Sequence, residues 1–272
     1  MRRHRRLPSE GSLLVSTDLH GNWEDFARLR AVWESLAAPD GTPAHWAILG
    51  DLVHGPDDEA RREDPTICGY ADRSPELVEA VSALQRTHPD HVHYVLGNHD
   101  HAHLGGPRTA KFHADEAAHL EGRMDPDAVA RLRALFGRAL LLVTTPCGAA
   151  LCHGAPKDTI RQPSDVDGVS LPARRAWERT VIASLTTAYG QPREVVERFL
   201  VAASRGGPEQ RFVIHGHDRA EAGVFVHGGN QLCPVLFGAP RQRRRYVVLD
   251  LAARYRGVRS LREGIEIRRL WP

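Results

Sequence analysis

Ser12-Leu13-Leu14-Val15-Ser16-Thr17-Asp18-Leu19-His20-Gly21-Asn22 is an apolar run of strand length that stops on a carboxylate, an imidazole, a glycine and an amide. The same event recurs down the chain. Gly50-Asp51 follows His45–Leu49, Gly97-Asn98-His99-Asp100 follows Val92–Leu96, His153-Gly154 follows Ala149–Cys152, and His215-Gly216-His217-Asp218 follows Arg211–Ile214. Each dipeptide alone is ordinary turn chemistry. Repetition in this order at strand ends is not, because open α/β sheets bind ligands at the carboxyl ends of their strands. The chain has only three asparagines, and one of them is Asn98. Carboxylate, amide oxygen and imidazole are ligands for borderline-hard divalent ions such as Mn, Fe, Zn or Ni. Two such ions ~3.5–4 Å apart clamp the attacking and leaving oxygens of a phosphoester displacement. Asp18 and His20 are two apart, so an extended backbone sends both side chains to one side.

Between the blocks, helices alternate with strands. Asn22 is placed to cap a helix whose Trp23, Phe26, Leu29, Val32, Trp33 and Leu36 recur at helical spacing as a packing stripe. After a polar loop over 56–73, Ser74-Pro75-Glu76 predicts a capped helix to about Arg86. The opening half therefore reads β-α-β-α-β, a parallel sheet with right-handed crossovers. A loop over 101–112, helices near 113–121 and 125–136, and a hairpin turning at 146–148 follow. Helices near 172–189 and 192–203 come next. Strand candidates at 224–226, 231–237, 246–251 and 261–269 then lack intervening helices, which calls for a second, mixed sheet packed against the first. Residues 1–10 read as a basic flexible arm and 11–272 as a single domain.

Length suffices for a sizeable core without covalent staples. The formal charge of +2 excludes charge-driven binding as the main theme, although lysine occurs only at 111 and 157 and arginine supplies the rest. Cys68, Cys147, Cys152 and Cys233 show neither paired metal spacing nor a secreted framework, so a reducing, cytoplasmic location is expected. The basic start, Arg2–Arg6, is followed by Pro8-Ser9-Glu10-Gly11 where a signal sequence needs an apolar run. No apolar run approaches ~20 residues, so no membrane partner is expected.

The ordered set Asp-x-His-Gly, Gly-Asp, Gly-Asn-His-Asp, His-Gly and Gly-His resembles the calcineurin-like metallophosphoesterases, and most of all their phosphoprotein-phosphatase branch. The likeness spans about residues 13–251, since Leu236-Phe237-Gly238-Ala239-Pro240 is similar to a Leu-Phe-Ser-Ala-Pro segment of that branch. It implies an α/β (α+β) fold of two facing mixed β-sheets flanked by helices, a four-layer sandwich. It also implies two divalent metal ions as cofactors. Residue by residue, Asp18 and His20 would bind one ion and Asp51, with its two carboxylate oxygens, would bridge both. Asn98, His153 and His217 would hold the second, and a shared water or hydroxide would attack phosphorus. His99 would protonate the leaving oxygen, and Asp100 would orient the loop or a ligand.

Two departures from the pattern matter. Family members end in Gly-His-x-His. Here Gly216 points to His217, while the spacing His-x-His would make His215 a ligand as well. The branch also follows Gly-Asp with x-Val-Asp-Arg-Gly, whose Asp pairs with the catalytic histidine and whose Arg grips phosphate. Here those positions are His54 and Gly55. His54 in place of Asp implies a His99 that loses its proton more readily. Replacements for the missing clamp are Arg108 and Lys111, Lys157 and Arg161, and Arg219, each set shortly after a block.

His101 and His103 read as part of a polar loop, His91 and His93 as flanks of a strand, and Arg241–Arg245 as a solvated turn. Together these readings predict a metal-dependent phosphomonoesterase acting on a phosphorylated protein or small molecule. The alternatives are a nucleotide or dinucleoside polyphosphate hydrolase, a phosphodiesterase, and a metal-binding scaffold without turnover. Nucleic acid is an unlikely partner at this net charge.

Overall fold

The structure is a computed structural model that describes residues 2–37 and 41–272. Strands β1 (His4–Arg6), β2 (Ser12–Ser16), β3 (Ala44–Leu49), β4 (Val92–Val95), β5 (Leu142–Thr144) and β6 (Ala149–Leu151) come before β7 (Phe212–Ile214), β8 (Val224–His227), β9 (Gln231–Pro234), β10 (Arg245–Asp250) and β11 (Ile267–Arg269). One sheet has the order β11-β10-β2-β3-β4 and the other β1-β5-β6-β7-β9-β8. β2, β3 and β4 are parallel, as the β-α-β-α-β reading requires, and β10 closes on β2 antiparallel. The sheets are mixed and face one another.

Period-two alternation sorts the side chains. Leu13, Val15, Ala47, Leu49 and Val95 pack against Val143, Leu151, Phe212, Ile214 and Leu232 of the other sheet in one apolar cluster. The alternate residues Leu14, Trp46, Ile48 and Tyr94 face outward under helices α1 (Trp23–Leu36), α4 (Ser74–Thr87) and α7 (Pro126–Gly137). Ala150 and Val213 do the same under α8 (Ala176–Thr186) and α9 (Arg193–Ala203). Trp46 is fully buried, with its indole N–H donating to Ser16 Oγ at 2.9 Å. Truncating it would cost about 3–5 kcal/mol. α1 starts where expected, the Asn22 side chain accepting from Asp25 N.

Several expectations are corrected. The basic arm is a built element: β1 pairs with β5, and the buried Arg3 guanidinium donates to the carbonyls of Ala139 and Val169. Met1 lies outside the described residues. The 56–73 loop carries short helices, α2 (Asp58–Glu63) and α3 (Pro65–Cys68), and the third block opens a one-turn helix, α5 (Asn98–Ala102). Ser74 does not cap α4; its hydroxyl accepts from His54 N at 3.0 Å. The last strand shrinks to β11. The 241–245 run is a solvated turn only over 241–243: Arg244 and Arg245 are buried, and Arg244 pairs with buried Asp25 at 2.8 Å.

Candidate dinuclear metal centre

The five blocks converge at the carboxyl ends of β2, β3, β4, β6 and β7. Five non-glycine residues among those described have left-handed backbone: Asp18 (φ 49°), His20 (φ 42°), Asp51 (φ 50°), His54 (φ 69°) and His217 (φ 68°). All belong to this site. Such a conformation costs of order 1–3 kcal/mol per residue, least for Asp, Asn and His, and marks functional positions. Asp18 and His20 are therefore brought together by two left-handed turns, not by the extended backbone that their spacing suggested. Glycine is required where backbones approach the ligands: a Cβ on Gly97 would overlap Asp51 Oδ1, and one on Gly216 would overlap Asp18 Oδ2.

Asp51 is the hub. Its Oδ1 accepts from His99 N at 2.9 Å, while Oδ2 lies 3.3 Å from His153 Nε2 and 3.7 Å from His20 Nε2. Backbone carbonyls set the orientation of both rings. His20 Nδ1 donates toward Val53 O and His54 O, each at 3.1 Å, and His153 Nδ1 donates to Leu49 O at 2.6 Å. Both Nε2 atoms are thus aimed at one carboxylate oxygen. One end of the Asn98 amide faces His217 Nδ1 at 2.9 Å, His153 Nε2 at 3.2 Å and Asp51 Oδ2 at 3.3 Å. Donor separations of about 3.3 Å are those of neighbouring ligands on an ion with ~2.0–2.1 Å bonds. Two groups of donor atoms share Asp51, namely His20, Asp51 and His99, and Asp51, His153 and the half-buried His217, while a third, His54, His99 and Glu116, lies beside them. The Asp18 carboxylate stands beside them, accepting from His217 N at 3.1 Å. The donor set fits divalent cations.

Electrostatics agree. Burial, reinforced by the Asp51 charge and opposed by His153, pushes the Asp18 carboxyl up to about 7. Burial would strip His153 of its proton, but Asp51 outweighs it and holds the imidazole up to about 10. A proton here occupies a place where a cation would satisfy all the acceptors. Asp100 lies behind the centre, fully buried, and accepts from Asp51 N at 2.9 Å, Gly97 N at 2.8 Å and Leu52 N at 3.0 Å. It ties the β3 and β4 loops together.

The centre floors a cleft of 240 Å³ whose walls include His99, Thr109, Lys111, Tyr189, Arg219 and Phe237. Of the proposed clamp residues, only Lys111 and Arg219 reach it. Lys111 Nζ is buried without a hydrogen-bond partner, 3.4 Å above the Phe237 ring. Burial first, and the Arg219 charge second, lower its ammonium to about 7. Arg108 pairs instead with Asp115 at 3.1 Å, Arg161 lies near Asp165 on the surface, and Lys157 is exposed. His215 is also excluded from the donor groups. Its ring is fully buried, with Nδ1 donating to Gly216 O at 2.8 Å.

Around His99 the structure departs most from the expectation. His99 Nδ1 lies 2.9 Å from His54 Nδ1 and 3.2 Å from Oε2 of Glu116, which is buried at the start of α6 (Glu116–Glu121). Burial opposes charge on His99, but Asp51 and Glu116 outweigh it and raise its affinity for a proton. Burial and the His99 and His103 charges lower His54 to about 3. Glu116 thus places beside His99 the negative charge that position 54 lacks. His103 belongs to no polar surface loop: it is buried, with Nε2 2.9 Å from His54 Nε2 and Nδ1 2.9 Å from Glu121 Oε1. Sequence reasoning missed Glu116 and Tyr189; the one signal for Glu116 was the carboxylate missing at position 54.

The family description calcineurin-like phosphoesterase matches residues 11–240. No curated protein sequence matches the chain. A yeast (Saccharomyces cerevisiae) protein serine/threonine phosphatase with similarity to human PP5 superposes with a TM-score of 0.62 at 15% identity, covering 91% of this chain and 75% of its own. A cold-active protein-tyrosine phosphatase of a psychrophilic Shewanella superposes at 0.49 with 13% identity, covering 93% and 78%. A metallophosphoesterase from Sphaerobacter thermophilus does so at 0.45 with 16% identity, covering 88% and 83%. With its ordered motifs gathered at the carboxyl ends of strands from both sheets and the match spanning most of its length, the chain belongs to the calcineurin-like phosphoesterases, hydrolases of phosphoester bonds.

Proposed function

We propose that the protein is a dinuclear metal-dependent phosphomonoesterase. The observation that carries the choice of monoester is Lys111, a buried ammonium in the cleft with no hydrogen-bond partner. A buried unpaired cation is costly, and an anionic group supplies what it lacks. A terminal phosphoryl group presents more charge and more free oxygens than a diester does. Lys111 and the exposed Arg219 line the cleft and would do the work of the arginine that the sequence lacks at Gly55.

In this reading Asp18, His20 and Asp51 would hold one ion, and Asp51, Asn98, His153 and His217 the other. When bound, such ions would supply Lewis acidity and an activated water. The chain does the rest. Asp100 fixes the loops, Lys111 and Arg219 receive phosphate oxygens, and Phe237 and Tyr189 wall the leaving group. His99, with Nδ1 engaged by its neighbours, turns its other nitrogen toward the departing oxygen as general acid.

The test is turnover by the purified protein with Mn on an aryl monoester, the matching aryl diester and a dinucleoside polyphosphate. The monoester is expected to be fastest. Faster cleavage of the diester or polyphosphate would favour the nucleotide-hydrolase or phosphodiesterase reading. Two bound ions with no turnover on any phosphoester would favour the scaffold.

A further inference from the structure

His99 needs a fixed ring to act as an acid, and the family's usual device is absent, since position 54 is histidine. We infer that Glu116 is the positioning residue for His99, a carboxylate moved from the β3 loop to the start of α6. This rests on the phosphoesterase reading above.

Three observations converge on it. Glu116 is 1% exposed on a helix whose other acid, Glu121, reaches the surface, and burying a carboxylate without reward is unfavourable. Its two oxygens are divided. Oε1 accepts from Phe112 N at 3.1 Å, which anchors the side chain. Oε2 is buried without a hydrogen-bond partner and faces His99 Nδ1 at 3.2 Å and His54 Nδ1 at 3.8 Å, within ion-pair distance of both rings. The two nitrogens of an imidazole point away from each other, so a carboxylate on Nδ1 directs Nε2 into the cleft that His99 lines.

His54 cannot do this alone. Its ring lies between two others, 2.9 Å from His99 Nδ1 and 2.9 Å from His103 Nε2. A neutral imidazole accepts at one nitrogen only and adds no negative charge. Glu116 supplies both a second acceptor and the charge. His54 then spaces the cluster, held by Ser74 Oγ from behind.

The test compares Glu116→Gln, Glu116→Asp and the exchange Glu116→Gln/His54→Asp in the full chain with Mn. Activated aryl and unactivated alkyl phosphates are used side by side, and metal content is measured throughout. In Glu116→Gln, kcat on the alkyl ester should fall about 10²-fold while KM and the metal content hold. The aryl ester, whose leaving group needs little protonation, should lose far less. Glu116→Asp should retain part of the rate. The exchange should recover at least about tenfold over Glu116→Gln, because it restores a carboxylate at the position the family uses.

Equal losses on both esters, or an unchanged alkyl rate, would overturn the assignment. So would an exchange variant that is folded and metal-loaded yet shows no recovery. An inactive wild type would instead overturn the phosphomonoesterase reading.

Discussion

Replacing Lys111 by methionine should weaken the enzyme and strengthen the fold. The Lys111 ammonium stands over Phe237 and Phe112, with Nζ 3.4 and 5.0 Å from their ring centroids. Methionine keeps an apolar chain over the rings and removes the charge. The drop of the ammonium from 10.5 to about 7, caused first by burial, caps the cost of holding it charged at about 5 kcal/mol, at about 1.36 kcal/mol per pH unit. The cation–π contact returns about 1–2 kcal/mol, and residual solvent returns more. A net gain of about 1–3 kcal/mol remains for Lys111→Met, a Tm rise of roughly 2–12 °C for a chain of this size. A lysine depressed in the folded state carries its full penalty below its folded value and loses it as pH rises toward its unfolded one. The stability gap between variant and wild type should therefore be widest below pH about 7 and close toward 10.5. Loss of one charge-assisted bond to phosphate, about 1.5–3 kcal/mol, should lower kcat/KM about 10- to 150-fold. Thermal melts of the metal-free protein from pH 6 to 10 without phosphate, together with steady-state kinetics of the metal-loaded enzyme, measure both signs. A variant that melts lower and keeps its kcat/KM would show that Lys111 is only a structural stem.

Asp51→Asn removes a charge and one of the two hub oxygens. Elemental analysis should give fewer than two ions per chain, and retention of both ions and full rate would remove Asp51 from the bridging role. Arg244→Met strands the buried Asp25 carboxylate, which then keeps only the Trp271 N–H at 2.8 Å. The expected loss is about 3–5 kcal/mol, partly restored by adding Asp25→Asn. A melting temperature within a degree of wild type would show that the pair is dispensable.

Local chemistry and period made much of this protein legible in its sequence. Alternation in Leu13–Val15 and Trp46–Leu49 names which side chains meet the opposite sheet and which meet helices, because strand geometry sends neighbours to opposite faces. Asp18, His20, Asp51, Asn98, His153 and His217 were recognisable as a donor set because each ends an apolar run beside a glycine. Their convergence follows from the two facing sheets bringing the carboxyl ends of these strands together. Other choices depend on distance in space between residues far apart in the chain. Glu116 is an ordinary helix acid until α6 packs it 3.2 Å from His99. Lys111 and Arg108 are near-equivalent cations in sequence, and only the fold turns one over Phe237 and pairs the other with Asp115. His215 and His217 lie two residues apart just beyond β7. β7 buries the first ring, and the left-handed turn at the second presents it to Asn98. The N-terminal Arg3 gives no local sign that it will be buried, because its partners Ala139 and Val169 lie in segments that only tertiary packing brings to it.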